Sequence, residues 1–189
     1  WHNDGADIFM LYCLRTGKSG GESKLVSAVE IFNEVVRRRP DLAETLQRDF
    51  WFDTRGQRQD GARIEVMPVY NRHDGLLTAN MKYRYIHTAQ RFADVPRLTK
   101  RQRQSLQWTQ DIANEPGMAM EFPLAPGDIL VANNYVTFHG RKAFEDWEKP
   151  EDKRHMLRLW LTIPNGRPLP GCFKDSRIYG EAYERRMKE

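Results

Sequence analysis

A histidine and an aspartate stand two residues apart at the start of the chain, in Trp1-His2-Asn3-Asp4. In an extended segment residues i and i+2 project from one face. His2 and Asp4 can therefore bring an imidazole nitrogen and a carboxylate oxygen to one point. Taken alone, the pair reads as a surface pair, since His-x-Asp arises by chance in many chains. His139 changes that reading. It lies in Asn133-Asn134-Tyr135-Val136-Thr137-Phe138-His139-Gly140-Arg141, at the end of a predicted strand that starts from the turn Pro126-Gly127-Asp128. Two imidazoles and one carboxylate on one face of an octahedron form the donor set of non-haem Fe(II) oxygenase centres, with the remaining positions open. Without the other two, a histidine on an apolar strand is a packing or surface residue.

A third pattern lies in Arg154-His155-Met156-Leu157-Arg158-Leu159-Trp160-Leu161-Thr162. With period two, His155, Leu157, Leu159 and Leu161 share one face, and Arg154, Met156, Arg158 and Trp160 share the other. The leucine face suits packing against helices. The arginine face fits an interior only with an anion, because an unpaired buried guanidinium is costly. Arginine's flat fork matches a carboxylate, so a bound dicarboxylate would meet that need. The same pattern also fits a solvated face on which the arginines pair with nearby acids.

The elements that must position these residues follow from periodicity and turn signals. Residues 8–14 read as strand, and 17–23 as a loop with Gly20-Gly21. Ser27 with Glu30 forms a capping box for a helix with Val29, Phe32, Val35 and Val36 as its apolar stripe, ending before Pro40. Residues 41–48 suggest a short helix and 53–62 a polar loop. Ile64–Tyr70 and Lys82–His87 read as strands around a loop at 71–75. Thr99 with Gln102 opens a helix to about Asn114. Strands follow at 118–124, from 129 toward His139, and at 156–163. A short helix is expected near 180–188. Short strands with two longer helices predict an antiparallel sandwich or barrel with helices outside.

Composition bounds the function classes. The 189 residues fit one domain, able to bury a core without staples. Cys13 and Cys172 lie far apart, so no disulfide scaffold is expected. No apolar run is long enough to suggest a membrane span. Lys plus Arg number 30 against 26 Asp plus Glu, a mixed surface rather than a block of one sign, so no nucleic-acid partner is expected. The sharpest basic cluster, Arg37-Arg38-Arg39, ends a predicted helix, where cations suit the dipole.

With these pieces in order, the chain resembles the TauD/TfdA-like (taurine catabolism dioxygenase) family of Fe(II)/2-oxoglutarate-dependent oxygenases. The matching stretches are Trp1-His2-Asn3-Asp4, Gly20-Gly21-Glu22-Ser23 before a helix, Pro126-Gly127-Asp128 through Asn134 to His139-Gly140-Arg141, and Arg154-His155-Met156-Leu157-Arg158. The resemblance implies a mainly β fold with flanking helices, a distorted double-stranded β-helix (jelly roll, clavaminate synthase-like). It implies His2, Asp4 and His139 as iron ligands. Arg154 matches the arginine that pairs with the distal carboxylate of 2-oxoglutarate. Ser23 falls where the family usually has a threonine bonded to that carboxylate, and Arg158 matches a second pocket arginine. The implied activity is oxidation, as a rule hydroxylation, of a C–H bond in a small organic substrate. Fe(II) is the metal, 2-oxoglutarate and O2 are co-substrates, and succinate and CO2 are released. Asp4 favours hydroxylation over halogenation, since related halogenases carry a small residue there.

Residues 1–189 are thus expected to form one dioxygenase domain, cytoplasmic, lacking the N-terminal part that the family has before its His-x-Asp. A non-catalytic jelly-roll binding module that keeps the scaffold is the alternative. Substrate identity and oligomeric state are not legible in the sequence.

Overall fold

The computed structural model describes residues 1–56, 58 and 60–173. The architecture is mainly β with four helices among those residues. In chain order the elements are β1 (Ile8–Arg15), β2 (Ser19–Gly20), β3 (Ser23–Ser27), α1 (Ala28–Arg38), α2 (Pro40–Leu46), β4 (Asp49–Asp53), β5 (Ile64–Pro68), β6 (Tyr70–His73), β7 (Leu76–Ala79), α3 (Tyr83–Ala89), α4 (Lys100–Ala113), β8 (Ala119–Phe122), β9 (Ile129–Asn133), β10 (Thr137–Arg141), β11 (Phe144–Glu145) and β12 (His155–Leu161). Two antiparallel three-stranded sheets dominate, in the orders β12-β1-β9 and β10-β3-β8. Three two-stranded sheets, β11-β2, β4-β5 and β6-β7, surround them.

The helices form where the caps predict them. Ser27 Oγ accepts the Glu30 N–H at the start of α1, and Thr99 with Gln102 completes a reciprocal box at the start of α4. The buried stripe of α1 is Ala28, Ile31, Phe32 and Val35, shifted from the predicted one, and Val36 is exposed. Arg37, Arg38 and Arg39 pair with Glu34, Glu115 and Asp41, so this cluster is an ion-pair network at a helix end. The main apolar core packs α1, α2 and α4 against one side of the β10-β3 sheet, with Phe138, Tyr70 and Phe32 among its largest members. Burying one such aromatic stabilises by ~1.5–3 kcal/mol. Phe138 faces this core, so its neighbour His139 faces the opposite side of the strand.

Several expectations are corrected. Residues 83–89 form α3, not a strand. Its buried residues Ile86 and Ala89 are spaced by three, and a short run with two tyrosines fits either period. The expected loop at 71–75 is the turn of the β6-β7 hairpin, where Asp74 and Gly75 both adopt positive φ (46° and 74°), as a two-residue hairpin turn requires. The expected continuous strand from 129 to His139 is broken. β9 pairs with β1 and β10 pairs with β3, so the chain changes sheet between Asn133 and Thr137. The leucine face of β12 is not covered by helices. Leu157, Leu159 and Leu161 stay about half exposed beside Ile129 and Val131, because α1, α2 and α4 pack on the other sheet. The helix expected at 180–188 lies outside the described residues.

Candidate metal centre and adjoining cavity

His2 and His139 are directly opposed across an antiparallel bridge. The His139 N–H donates to His2 O at 2.8 Å, and the His2 N–H donates to His139 O at 3.2 Å. Opposed residues of an antiparallel pair project to the same side, so the two imidazoles must meet, and their ring centroids lie 4.3 Å apart. Asp4, two residues from His2, points the same way. Its carboxylate oxygens lie 3.6 Å from His139 Nε2 and 3.9 Å from His2 Nε2. One ligand-capable atom from each of the three falls within 4.8 Å of the others. Asp4 and His139 are buried, and His2 is half exposed at the cavity wall.

The intervening Asn3 points the opposite way and anchors the segment. Its Nδ2 donates to Ala79 O and Asn134 O, and its Oδ1 accepts the Met81 N–H. Asn134, at the sheet-changing turn, completes the clamp. Its Oδ1 accepts the Asp4 N–H at 2.9 Å, while its Nδ2 donates to Gly5 O and Ala6 O. Ala6 has a φ of 62°, a left-handed conformation that an L residue adopts only when its surroundings hold it. Asn134 was absent from the predicted site. The turn between two strands carried a signal, but nothing in the sequence says that its amide faces the His-x-Asp segment.

Neighbours from the first sheet fix the donors. Phe9 of β1 stacks on His139, with centroids 4.1 Å apart and planes inclined by 27°. On β12 the arginine face turns inward. Trp160 Nε1 donates to Asp4 Oδ2 at 3.0 Å, and Arg158 Nη1 lies 3.3 and 3.2 Å from the two carboxylate oxygens. Burial pushes the His139 pKa down to about 3, His2 adds to the shift, and Asp4 opposes it. Desolvation also lowers the His2 pKa against the pull of Asp4. Both imidazoles are therefore neutral near pH 7, the state in which they ligate metals.

The donor set fits a divalent cation. His139 Nε2 and Asp4 Oδ2 face each other at a separation too long for a hydrogen bond. Neutral imidazoles offer lone pairs, and the carboxylate brings negative charge to a buried spot.

Arg154 and Ser23 are not among the residues that line the cavity beside the triad. Ser23 is buried at the start of β3, opposite Arg141 of β10. Arg154 packs beside the Gly20-Gly21 turn. A Cβ on Gly21, whose φ is +83°, would sit 3.4 Å from Arg154 Nε and 3.3 Å from Phe144 Cβ. Both Arg154 and Arg141 lie over the Phe144 ring. Burial, then the nearby Arg141 charge, lowers the Arg154 pKa. Arg154 forms no ion pair with a described residue.

A cavity of about 430 Å³ opens beside the triad. His2, Asp4, Arg158 and Trp160 line it, together with Tyr83 and Tyr85. The two tyrosines reach it from α3 rather than from a strand.

Residues 1–160 match the family described as Taurine catabolism dioxygenase TauD, TfdA family. The chain belongs to that family. Among relatives of this TauD/TfdA chain, FR-33289 synthase of Streptomyces rubellomurinus is 32% identical over 183 residues, covering 94% of this chain and 53% of that protein. Uridine-5'-phosphate dioxygenase of Amycolatopsis sp is 29% identical over 173 residues, covering 87% of this chain and 61% of the relative. The chain thus spans between about half and three fifths of these relatives' lengths. The solved structure of asparagine oxygenase in complex with Fe(II), 2S,3S-3-hydroxyasparagine and succinate superposes with a TM-score of 0.65 at 18% identity, covering 85% of this chain and 49% of that one. At that identity the likeness is one of fold. No helix of the described residues is long and apolar enough to cross a membrane.

Proposed function

We propose that residues 1–189 form the domain of an Fe(II)- and 2-oxoglutarate-dependent dioxygenase that hydroxylates a C–H bond of a small organic substrate. The observation that carries the reading is the convergence of His2, Asp4 and His139 beside a cavity of small-molecule size. In this reading the two main sheets are the halves of a distorted double-stranded β-helix, and the protein is cytoplasmic.

His2, Asp4 and His139 would hold Fe(II). Bound there, the metal would couple decarboxylation of 2-oxoglutarate by O2 to oxidation of the substrate, with succinate, CO2 and the hydroxylated product released. The chain's own residues do the positioning. Phe9 holds the His139 ring, and Asn3 and Asn134 hold the backbone that carries His2 and Asp4. Trp160 and Arg158 orient the Asp4 carboxylate, and the same two residues wall the cavity where substrate would sit. Supporting a ligand in this way tunes a metal site as much as the ligand itself does.

Arg154 serves the distal carboxylate of 2-oxoglutarate in this reading. Its partly desolvated guanidinium, without an ion pair among the described residues, is a ready partner for a carboxylate. The glycine at position 21 leaves room against that guanidinium, and the Ser23 hydroxyl supplies a further donor. The name uridine-5'-phosphate dioxygenase attached to one relative supports a small organic molecule as substrate class.

The test is succinate release from 2-oxoglutarate by the full-length, Fe(II)-loaded protein under air, against a panel of carboxylates, sulfonates, phosphates and neutral metabolites. The reading expects succinate that depends on Fe(II) and is stimulated by one class of compound. A folded, Fe(II)-binding protein that releases no succinate with any of them would instead be a binding module on the same scaffold.

A further inference from the structure

The cavity beside the triad is lined by five basic side chains, Arg55, Arg58, Lys82, Arg84 and Arg158. Three acidic residues share the lining: Asp4, Asp53 and Glu65. Each acid is already committed. Asp4 belongs to the triad and bonds Arg158. Glu65 lies 3.9 Å from Arg58, which also pairs with Asp60. Asp53 is buried, accepts the Arg55 backbone N–H at 2.8 Å, and lies 3.2 Å from Arg91, which does not line the cavity. Lys82 already has an interaction of its own, so Arg55 and Arg84 remain. Both are exposed to the cavity's solvent, and neither forms an ion pair with a described residue.

Their placement is built. Arg55 has a φ of 53°, a left-handed conformation stabilised by the Asp53 bond to its N–H. Its guanidinium lies 4.2 Å from the Tyr85 ring centre, which anchors the loop end against α3, one residue from Arg84. Tyr83, Tyr85, Trp1 and Trp160 give the same cavity aromatic walls. One cavity lined by two guanidiniums, by aromatic rings and by His2 and Asp4 suits a molecule with an anionic head and an apolar or planar body.

We propose that the substrate carries a phosphate or phosphonate group, held by Arg55 and Arg84, with its organic body along the aromatic walls toward His2 and Asp4. The proposal rests on the oxygenase reading for the fate of the body, but the anion site itself requires no metal. A dianion engages both guanidiniums, so it binds more tightly than a monoanionic carboxylate or sulfonate of the same shape.

The test is equilibrium binding to the full chain, read by calorimetry and by the fluorescence of the cavity tryptophans. The probes are uridine 5'-phosphate and phenylphosphonate, each set against a partner without the dianion, uridine and benzoate. The expected result for at least one pair is affinity about tenfold or more above the counterpart. That preference is lost in Arg84→Ala and Arg55→Ala, largely kept in Arg84→Lys, and weakened as salt rises from about 50 to about 500 mM. Equal affinity within both pairs, no binding by either dianion, or an undiminished preference in both alanine variants would overturn it. The visible band of wild-type protein with Fe(II) and 2-oxoglutarate is read separately. Its absence with the dianion preference intact removes the oxygenase reading and keeps the anion site. Its presence without that preference does the reverse.

Discussion

Asn134→Ala should disable the site from a position that touches no ligand. The Asn134 side chain is fully buried and makes three hydrogen bonds to the segment carrying Asp4. Truncation leaves the Asp4 N–H and the Gly5 and Ala6 carbonyls without that partner. Each such buried group costs ~1–3 kcal/mol when unsatisfied, so the total falls on the order of 3–5 kcal/mol after local relaxation. That is a large share of the ~5–15 kcal/mol by which a domain of this size is stable. The left-handed Ala6 loses its tether as well, so Asp4 shifts relative to the histidines, and divalent-metal affinity should fall by roughly 10- to 100-fold. Asn133→Ala is the control. It has the same chemistry one residue away, at an exposed position, where its Oδ1 accepts one hydrogen bond from the Tyr135 N–H. It should cost no more than about 1 kcal/mol and leave metal affinity unchanged. The assay is urea unfolding of metal-free protein by tryptophan fluorescence, paired with anaerobic Fe(II) titration. Equal stability of the two variants, within ~0.5 kcal/mol, and unaltered metal binding would refute the clamp.

Three further outcomes follow from the same geometry. Trp160→Phe keeps the bulk of the ring but removes the 3.0 Å bond to Asp4 Oδ2, so metal affinity should drop several-fold while stability changes by less than about 1 kcal/mol, read by the same titration and melts. Gly21→Ala forces an L residue to a φ of +83° against Phe144 and Arg154, so it should cost ~1–2 kcal/mol and weaken 2-oxoglutarate binding more than metal binding, as calorimetry would report. The folded pKa of His139 is depressed to about 3 from an ordinary 6.5, so the unfolded chain takes up this proton first, and the metal-free protein should be most stable above pH 6.5 and lose stability steadily toward pH 3, measurable by urea melts at successive pH values.

Much of the site was legible because its rules are local. The i, i+2 spacing of His2 and Asp4 and the period-two faces of β12 fix which side chains share a side once the segment is extended, so Arg158 and Trp160 reach Asp4 together, while which face of β12 turns inward is set by the fold. The bridge between His2 and His139 is not local. It depends on the change of sheet at Asn134, and the local pattern, apolar residues on both sides of Asn133-Asn134, does not say that the two halves join different sheets. Residues 83–89 were misread because two tyrosines at i and i+2 imitate a strand in a run too short to show its helical period. The outward leucines of β12 read as a packing face, yet which side of a sheet the helices cover is decided by the connections, and here α1, α2 and α4 cover the other sheet. The cationic lining of the cavity was hidden for a similar reason. Arg55 and Arg84 lie in a loop and on a helix whose approach is set only by the fold.

The central claim is that His2, Asp4 and His139 hold one metal ion. His2 tests it with least disturbance, because its side chain is 47% exposed and its backbone bridge survives substitution. The measurement is anaerobic Fe(II) titration of full-length wild-type and His2→Ala protein with 2-oxoglutarate present. The account predicts one equivalent of Fe(II) bound by the wild type with a weak visible charge-transfer band, and loss of both in a His2→Ala variant that melts like the parent. Unchanged Fe(II) stoichiometry and spectrum in that folded variant would contradict it.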